Sequence, residues 1–372
     1  MRRLLPVVLL LAGCAPDAPP AASGRTSPGA RPGVAQEAAP LEPPPPAPAK
    51  WRPIIGEYAS GGDTASVLED GGLLELLVWQ GPRWRLQAVT DTSFEALSQA
   101  GAGGLLTTRH DAAGHVAAIV LTGGDKGTPT RADVESFPSR PRVLPRLHLG
   151  ADEGDVFRIT PLRPPAELRA EALAAAPPAE EGDFLPADLV ELTSLDPSIR
   201  LDIRYATTNN FMGQIFYASA RAFLQRPAAE ALVRAHRWLK TRGYGLLIHD
   251  GYRPWYVTKM FWDATPEPLR VFVADPARGS RHNRGCAVDL TLYSLATGKA
   301  VTMPGGYDEM SPRSYPGYPG GTSRQRWFRA LLRRAMEAQG FTVYAAEWWH
   351  FDYKDWKRYR ISNERFEDLP GG

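Results

Sequence analysis

The chain has 372 residues, with 43 Lys and Arg against 41 Asp and Glu for a formal net charge of +2. Such a length exceeds what one ordinary core needs, so about two folded units plus extensions are expected. Near-neutral charge without a basic block or stripe gives no footing to a nucleic-acid partner, and two cysteines, Cys14 and Cys286, provide no disulfide framework.

The first segment, MRRLLPVVLLLAGC, sets two arginines before an apolar run from Leu4 to Leu11, then small residues and Cys14. The run falls well short of the roughly 20 residues of a membrane-spanning helix, and the order of charge, apolar core and small residues is that of a secretion signal. LAGC resembles the bacterial lipobox, whose cysteine is lipidated and becomes the first residue of the mature protein. Residues 1–14 are therefore expected to be a lipoprotein signal ending at a lipid-bearing Cys14. That would place the protein outside the cytosol, held to a bacterial membrane by lipid, and leave Cys286 without an intramolecular partner.

Residues 15–50, ending LEPPPPAPAK, are dominated by Pro, Ala, Gly and Ser and have too little apolar surface to fold, so a disordered tether is expected. From 51 to 163, short apolar stretches (GLLELLVW, WRLQAV, HVAAIVL, DVFRITPL) alternate with Gly and Asp. Those spacings predict a small antiparallel β domain. It is weakly similar in pattern to β domains appended to some bacterial serine hydrolases, a resemblance that carries no catalytic residue and names no partner. His110, Asp111 and His115 read as a polar hairpin, since no third metal ligand lies near.

The Pro, Ala and Glu-rich stretch 164–183 predicts a linker with a short helix. From 184 to 372, helix and strand signals interleave, which predicts an α+β domain. RPAAEALVRAHRWLKTRG puts Leu232, Ala235, His236 and Leu239 on one helical face with Gly243 as a stop. YGLLIHDGYRP reads as a short buried strand ending in a polar turn. SRQRWFRALLRRAMEAQG predicts a second amphipathic helix started by Ser323 and ended by Gly340, with FTVYAAEWWHFDY as a strand after it.

Catalytic zinc usually takes three protein ligands and leaves a fourth position open. His282 and Asp289 in SRHNRGCAVDLTLY, with His350 in EWWH, form one such set, the third arriving only through folding. Glu347, three residues before His350, could take a proton from water as it attacks a carbonyl. Taken singly, these residues fit ordinary roles better: a turn cap, a strand cap and a buried aromatic edge.

Together they carry a resemblance. SRHNRGCAVDLTLY matches the S-x-H-x-x-G-x-A-x-D motif, and EWWH the E-x-x-H motif, of zinc D-alanyl-D-alanine dipeptidases of the vancomycin-resistance type. The likeness runs from about Asp188 to Asp355 and takes in LDIRYATTNNFMG and IHDGYRP. It implies one zinc held by His282, Asp289 and His350, with Glu347 as general base and later acid. Arg253 is implied to steady the substrate carbonyl, a task suited to a guanidinium that stays charged. Asp308, in GGYDEM, would meet the free amine of a small dipeptide, and Ser280 and Tyr205 would line the same pocket. The fold implied is a zinc D-Ala-D-Ala peptidase domain with a central antiparallel sheet and flanking helices.

Two departures stand out. Cys286 occupies a variable motif position, where a small buried residue packs rather than ligates, and FMGQIFYASARAF lacks an expected GY, leaving contacts to the substrate carboxylate open. The function expected is zinc-dependent hydrolysis of D-Ala-D-Ala in wall turnover or dipeptide scavenging. The rivals are a D,D-carboxypeptidase or endopeptidase on wall peptides, and a non-catalytic wall-binding lipoprotein.

Overall fold

The computed structural model describes residues 42–78, 83–98, 101–123, 140–147 and 156–369. The signal segment, Cys14 and most of the expected tether lie outside the described residues. Among the described residues no helix is long and apolar enough to cross a membrane.

Eight strands follow one another in a meander: β1 Gly56–Ser60, β2 Asp63–Asp70, β3 Leu73–Val78, β4 Arg83–Thr90, β5 Ser93–Ser98, β6 Gly101–His110, β7 Val116–Gly123 and β8 Arg142–Pro145. Each pairs antiparallel with the next. The meander then closes: Tyr58 bridges Arg146, and the Leu147 N–H donates to the Glu57 carbonyl at 2.8 Å. The β domain predicted from alternation is thus an up-and-down barrel, a closure that removes exposed sheet edges.

Alternation shows why the interior fills. Along β4, Trp84 and Leu86 point inward while Arg83, Arg85 and Gln87 face water, and Trp84 packs with Tyr58, Leu76 and Phe94 in one apolar cluster. Eight strands leave an interior just wide enough for such side chains. The β2–β3 turn needs Gly71 and Gly72, both at positive φ (56° and 82°), as a two-residue hairpin of matching twist requires.

The second body holds a five-stranded sheet, order β10-β12-β13-β15-β14, and a two-stranded ribbon of β9 Leu189–Glu191 with β11 Phe223–Gln225. Its strands are β10 Arg200–Leu201, β12 Tyr244–Asp250, β13 Ala287–Ser294, β14 Phe341–Tyr344 and β15 Glu347–Tyr353. The central pairs are antiparallel as expected, whereas the short edge strand β10 runs parallel to β12. Helices α1 Pro165–Ala174, α2 Arg226–Lys240, α3 Trp255–Ala264 and α4 Ser323–Glu337 share one core with the sheet. This is an α+β body preceded by a separate β region.

Three expectations need correction. Of DVFRITPL, the described residues 156–162 form no strand: Phe157 and Ile159 pack on the second core, and the Ile159 N–H donates to the Phe211 carbonyl at 2.9 Å. The stretch expected as a linker carries its expected short helix as α1, started by Pro165 at its first position, but that helix is packed rather than free: Leu168 and Ala172 are buried in the same core. FTVYAAEWWHFDY is a hairpin of two strands rather than one. Helix α4 starts at Ser323 as expected, with Thr322 before it in a reciprocal capping box with Gln325.

The tether also ends earlier than residue 50. A polyproline-like backbone leaves its carbonyls free, and here arginines take them: Arg324 donates to Pro44 (3.1 Å) and Arg52 to Ala47 (3.3 Å), with Ala47 buried. The barrel is seated on the second body through the β2–β3 turn. Glu69 accepts from the Ser323 N–H (2.8 Å) and Asp70 from Arg326 (2.7 Å), placing carboxylates at the N-terminus of α4, where the helix dipole favours them.

Candidate metallopeptidase centre

Sheet register assembles the centre. Asp250 at the end of β12 stands opposite Asp289 on β13, and Asp289 opposite His350 on β15, so three strands present one row of polar groups at the same end. His282 joins them from the turn before β13, a 3-10 turn that ends at Gly285 in the left-handed region (φ 66°). A Cβ at Gly285 would also meet Leu189 at 2.5 Å, so glycine is required there twice over.

Glu347 and His350 are three apart on one strand, a spacing that ordinarily sends side chains to opposite faces. A register shift resets the phase: Val343 pairs with Phe351 but Tyr344 with Glu347. That irregularity brings Glu347 Oε2 within 3.7 Å of His350 Nδ1, the re-aiming that bulges supply beside active sites.

The three expected ligands converge. His350 Nδ1 lies 3.0 Å and His282 Nε2 3.3 Å from Asp289 Oδ1, and the two ring nitrogens are 3.1 Å apart. His282 Nδ1 faces the Gly251 carbonyl (2.7 Å) and His350 Nε2 the Asp352 carboxylate (2.9 Å). Each acceptor takes the proton of the nitrogen it faces, which fixes the tautomers and turns the remaining lone pairs inward. Two lone pairs and the Asp289 oxygen then meet with no hydrogen between them, and Asp289 Oδ1 has no hydrogen-bond partner among the described residues. A metal ion at that point would resolve the arrangement, taking one ligand atom from each of the three residues. Ligands about 2.0 to 2.1 Å from a tetrahedral zinc would stand about 3.3 Å apart, so these residues fit the ion. The electrostatics mark the same place as one that draws positive charge: burial works against charge on His350, yet Asp352 and Asp289 push it up to about 10, so a proton on Nδ1 occupies the position that an ion would take from it.

A cavity of about 90 Å³ opens beside the cluster, walled by Phe211, Phe261 and Trp349. All the expected pocket residues line it: Tyr205, Arg253, Ser280, Asp308 and Glu347. Burial pushes Glu347 up to about 8, against the pull of His350 and helped by Asp289 and Asp308. Burial and then Asp289 push Asp308 to about 8 as well. Tyr205 donates to both Asp308 oxygens (2.9 and 3.1 Å). The Ser280 hydroxyl accepts from the His282 N–H (3.2 Å), so it braces the ligand turn as well as lining the cavity.

Arg253 is buried, held by Asp250 at 2.8 Å through Nε and Nη2, and stacked over Phe261. Burial opposes its charge, but Asp250, Tyr205, Tyr217 and Asp289 together outweigh that and keep its pKa well above the usual value. Sequence reading missed the supporting groups. Asp250 orients Arg253, Asp352 orients His350, and Tyr307 donates to the second Asp289 oxygen (3.1 Å). Two of them had a signal: Asp352 lies two residues beyond His350 on a strand, hence on the same face, and Asp250 sits in the same HDGYRP turn as Arg253.

His110, Asp111 and His115 form the expected hairpin end, where Asp111 accepts from the Ala113 and His115 N–H groups (2.9 Å each). Cys286 is fully buried and its thiol is pushed up to about 12 by burial, in keeping with packing.

The family profile for D-Ala-D-Ala dipeptidases, peptidase family M15, matches residues 186–370. The D-alanyl-D-alanine dipeptidase of Escherichia coli strain K12 is 34% identical over 179 residues, 48% of this chain and 91% of that protein. The chain belongs to the D-Ala-D-Ala dipeptidase family. The D-alanyl-D-alanine dipeptidase of Enterococcus faecium is 37% identical over 175 residues, 42% of this chain and 87% of its own. The solved structure of the LdcB LD-carboxypeptidase aligns over 51% of this chain and 81% of its own, with 19% identity and a TM-score of 0.27. As a member of this family the chain is a metallopeptidase, and the match covers the second body from residue 186 on while leaving α1 and the barrel outside it.

Proposed function

We propose that the protein hydrolyses D-alanyl-D-alanine, or a closely similar D,D-dipeptide, using one zinc ion held by His282, Asp289 and His350. The observation that carries this reading is the meeting of two imidazole lone pairs and the Asp289 oxygen beside a cavity lined by Glu347, Arg253 and Asp308. Bound there, zinc would polarise the scissile carbonyl and bring the pKa of a water molecule to about 7.

The chain's own groups supply the rest. Glu347 takes a proton from the attacking water and returns it to the leaving amine, and its raised pKa suits both duties. Arg253, its guanidinium fixed by Asp250, donates to the carbonyl oxygen as that oxygen gains charge. Asp308 accepts from the substrate ammonium, with Tyr205 holding the carboxylate in place. A carboxylate at the amine end favours a dipeptide over an extended chain, in which that nitrogen is acylated and uncharged.

The N-terminal sequence adds a location. Lipidation at Cys14 would hold the enzyme outside the cytosol, where D-Ala-D-Ala arises by wall breakdown rather than as a wall precursor. We therefore assign it to peptidoglycan turnover or dipeptide scavenging. The test compares hydrolysis of D-Ala-D-Ala with that of a wall pentapeptide, with Glu347→Ala as control. Rapid cleavage of the dipeptide alone, lost in the variant, is the result expected. Preferential pentapeptide cleavage would move the assignment to a carboxypeptidase.

A further inference from the structure

The loop that carries Asp308 faces the cavity on one side and the barrel on the other, and a buried carboxylate next to Asp308 fixes its shape. Glu309 is completely buried. It accepts from the Gly306 N–H (2.8 Å), the Ser311 hydroxyl (2.5 Å) and the Arg313 guanidinium through Nε (2.7 Å) and Nη2 (2.8 Å). Those bonds gather positions 306, 311 and 313 around one side chain. Inside the ring, Asp308 is the sole non-glycine residue at positive φ (56°) among the described residues. L-residues enter that region only when surroundings compel them, Asp more readily than most. The result is direction: the Asp308 carboxylate meets the Tyr205 hydroxyl on the cavity wall.

Arg313 also reaches the other way. Its Nη1 lies 3.9 Å from Glu57 Oε2 on β1, both side chains buried. Glu57 belongs to the barrel's closing seam, where its carbonyl accepts from Leu147. Around this contact the two bodies border a cleft of about 570 Å³, so Glu57 and Arg313 carry barrel position to the back of the Asp308 loop.

We propose that Glu309 is a positioning residue for substrate selection, and that the barrel, through Glu57 and Arg313, holds this clamp in register and so sets the preference for a free amine. The inference rests on the reading of Asp308 as the amine's acceptor. It gives the N-terminal domain a part in specificity without contact with substrate.

The test uses the zinc-loaded full chain with Glu309→Gln and, should that variant fail to fold, Glu57→Gln on the barrel. Two readouts are taken: kcat and KM for D-Ala-D-Ala and for its N-acetyl form, and hydrogen exchange at the Gly306 amide. The expected result is a rise of about tenfold in KM for the free dipeptide in Glu309→Gln, and about threefold in Glu57→Gln. Values of kcat and of KM for the acetylated form should stay within about twofold, and Gly306 exchange should quicken in both variants. Unchanged Gly306 exchange in Glu57→Gln overturns the coupling whatever the activity. An equal fall for both substrates, or an unchanged preference, overturns the selective role. A wild type indifferent to acetylation overturns the reading of Asp308 and the selective role with it, while Gly306 exchange still decides whether the clamp is coupled to the barrel.

Discussion

The barrel and the second body both rest on antiparallel sheet, yet they use buried positions in opposite ways. In the barrel, alternation sends Trp84, Leu86 and Phe94 inward with little exception, and its buried carboxylates, Glu57 and Glu69, face the neighbouring body. In the second body the pattern breaks at one end of the sheet, where Asp250, Asp289, Glu347 and His350 are buried together. Burying unpaired charge costs several kcal/mol, so such a row persists only when each group has a partner or an ion. The difference teaches where to look: a filled interior reports stability, and a strand end that departs from alternation reports chemistry.

The sharpest way to separate the two regions is to damage each alone. Glu347→Ala should lower kcat for D-Ala-D-Ala on the order of 10³-fold while leaving zinc content and thermal stability near wild type. Trp84→Ala should do the reverse, costing about 3 to 5 kcal/mol in unfolding free energy, with zinc content of the folded fraction unchanged. If Trp84→Ala stripped the metal while the chain stayed folded, the two regions would not be separable in this way.

A smaller effect is expected one step behind the ligands. Asp352→Asn keeps the shape but weakens the hold on the His350 Nε2 proton, and zinc affinity should fall about 10 to 100-fold by competition with a chelating dye. The mildest effect concerns acid stability in α2. His236 accepts from the Leu246 N–H at 3.0 Å and faces the Ser198 hydroxyl at 2.9 Å, and burial lowers its pKa from 6.5 to about 4. The unfolded chain therefore binds a proton near 6.5 that the folded chain refuses until about 4. Stability from this group is complete above the upper value and falls as pH drops through that window. Chemical denaturation of wild type and His236→Gln across the window should show the steeper fall in wild type.

Much of the second body was legible because its signals are local. The faces of α2 and α4 follow from helical spacing, and His282, Asp289, Glu347 and His350 sit in short motifs. What stayed hidden depends on pairing between distant segments. Closure of the barrel requires Tyr58 to meet Arg146, which alternation cannot announce. The phase shift that turns Glu347 toward His350 arises from pairing with β14, and the clamp at Glu309 from a loop of no regular period. Composition also hid packing: Pro and Ala suggested a tether to residue 50 and a free linker at 164–183, yet Ala47 is buried, and Leu168 and Ala172, one helical turn apart, mark the buried face of α1.

The central claim is that His282, Asp289 and His350 hold the metal on which hydrolysis depends. The direct measurement is zinc per chain together with D-Ala-D-Ala hydrolysis, before chelation, after it and after zinc is restored. One zinc per chain, activity lost with the metal and recovered with it, and neither present in Asp289→Ala, is the predicted result. Hydrolysis that persists in the metal-free protein, or full zinc occupancy in Asp289→Ala, would contradict it.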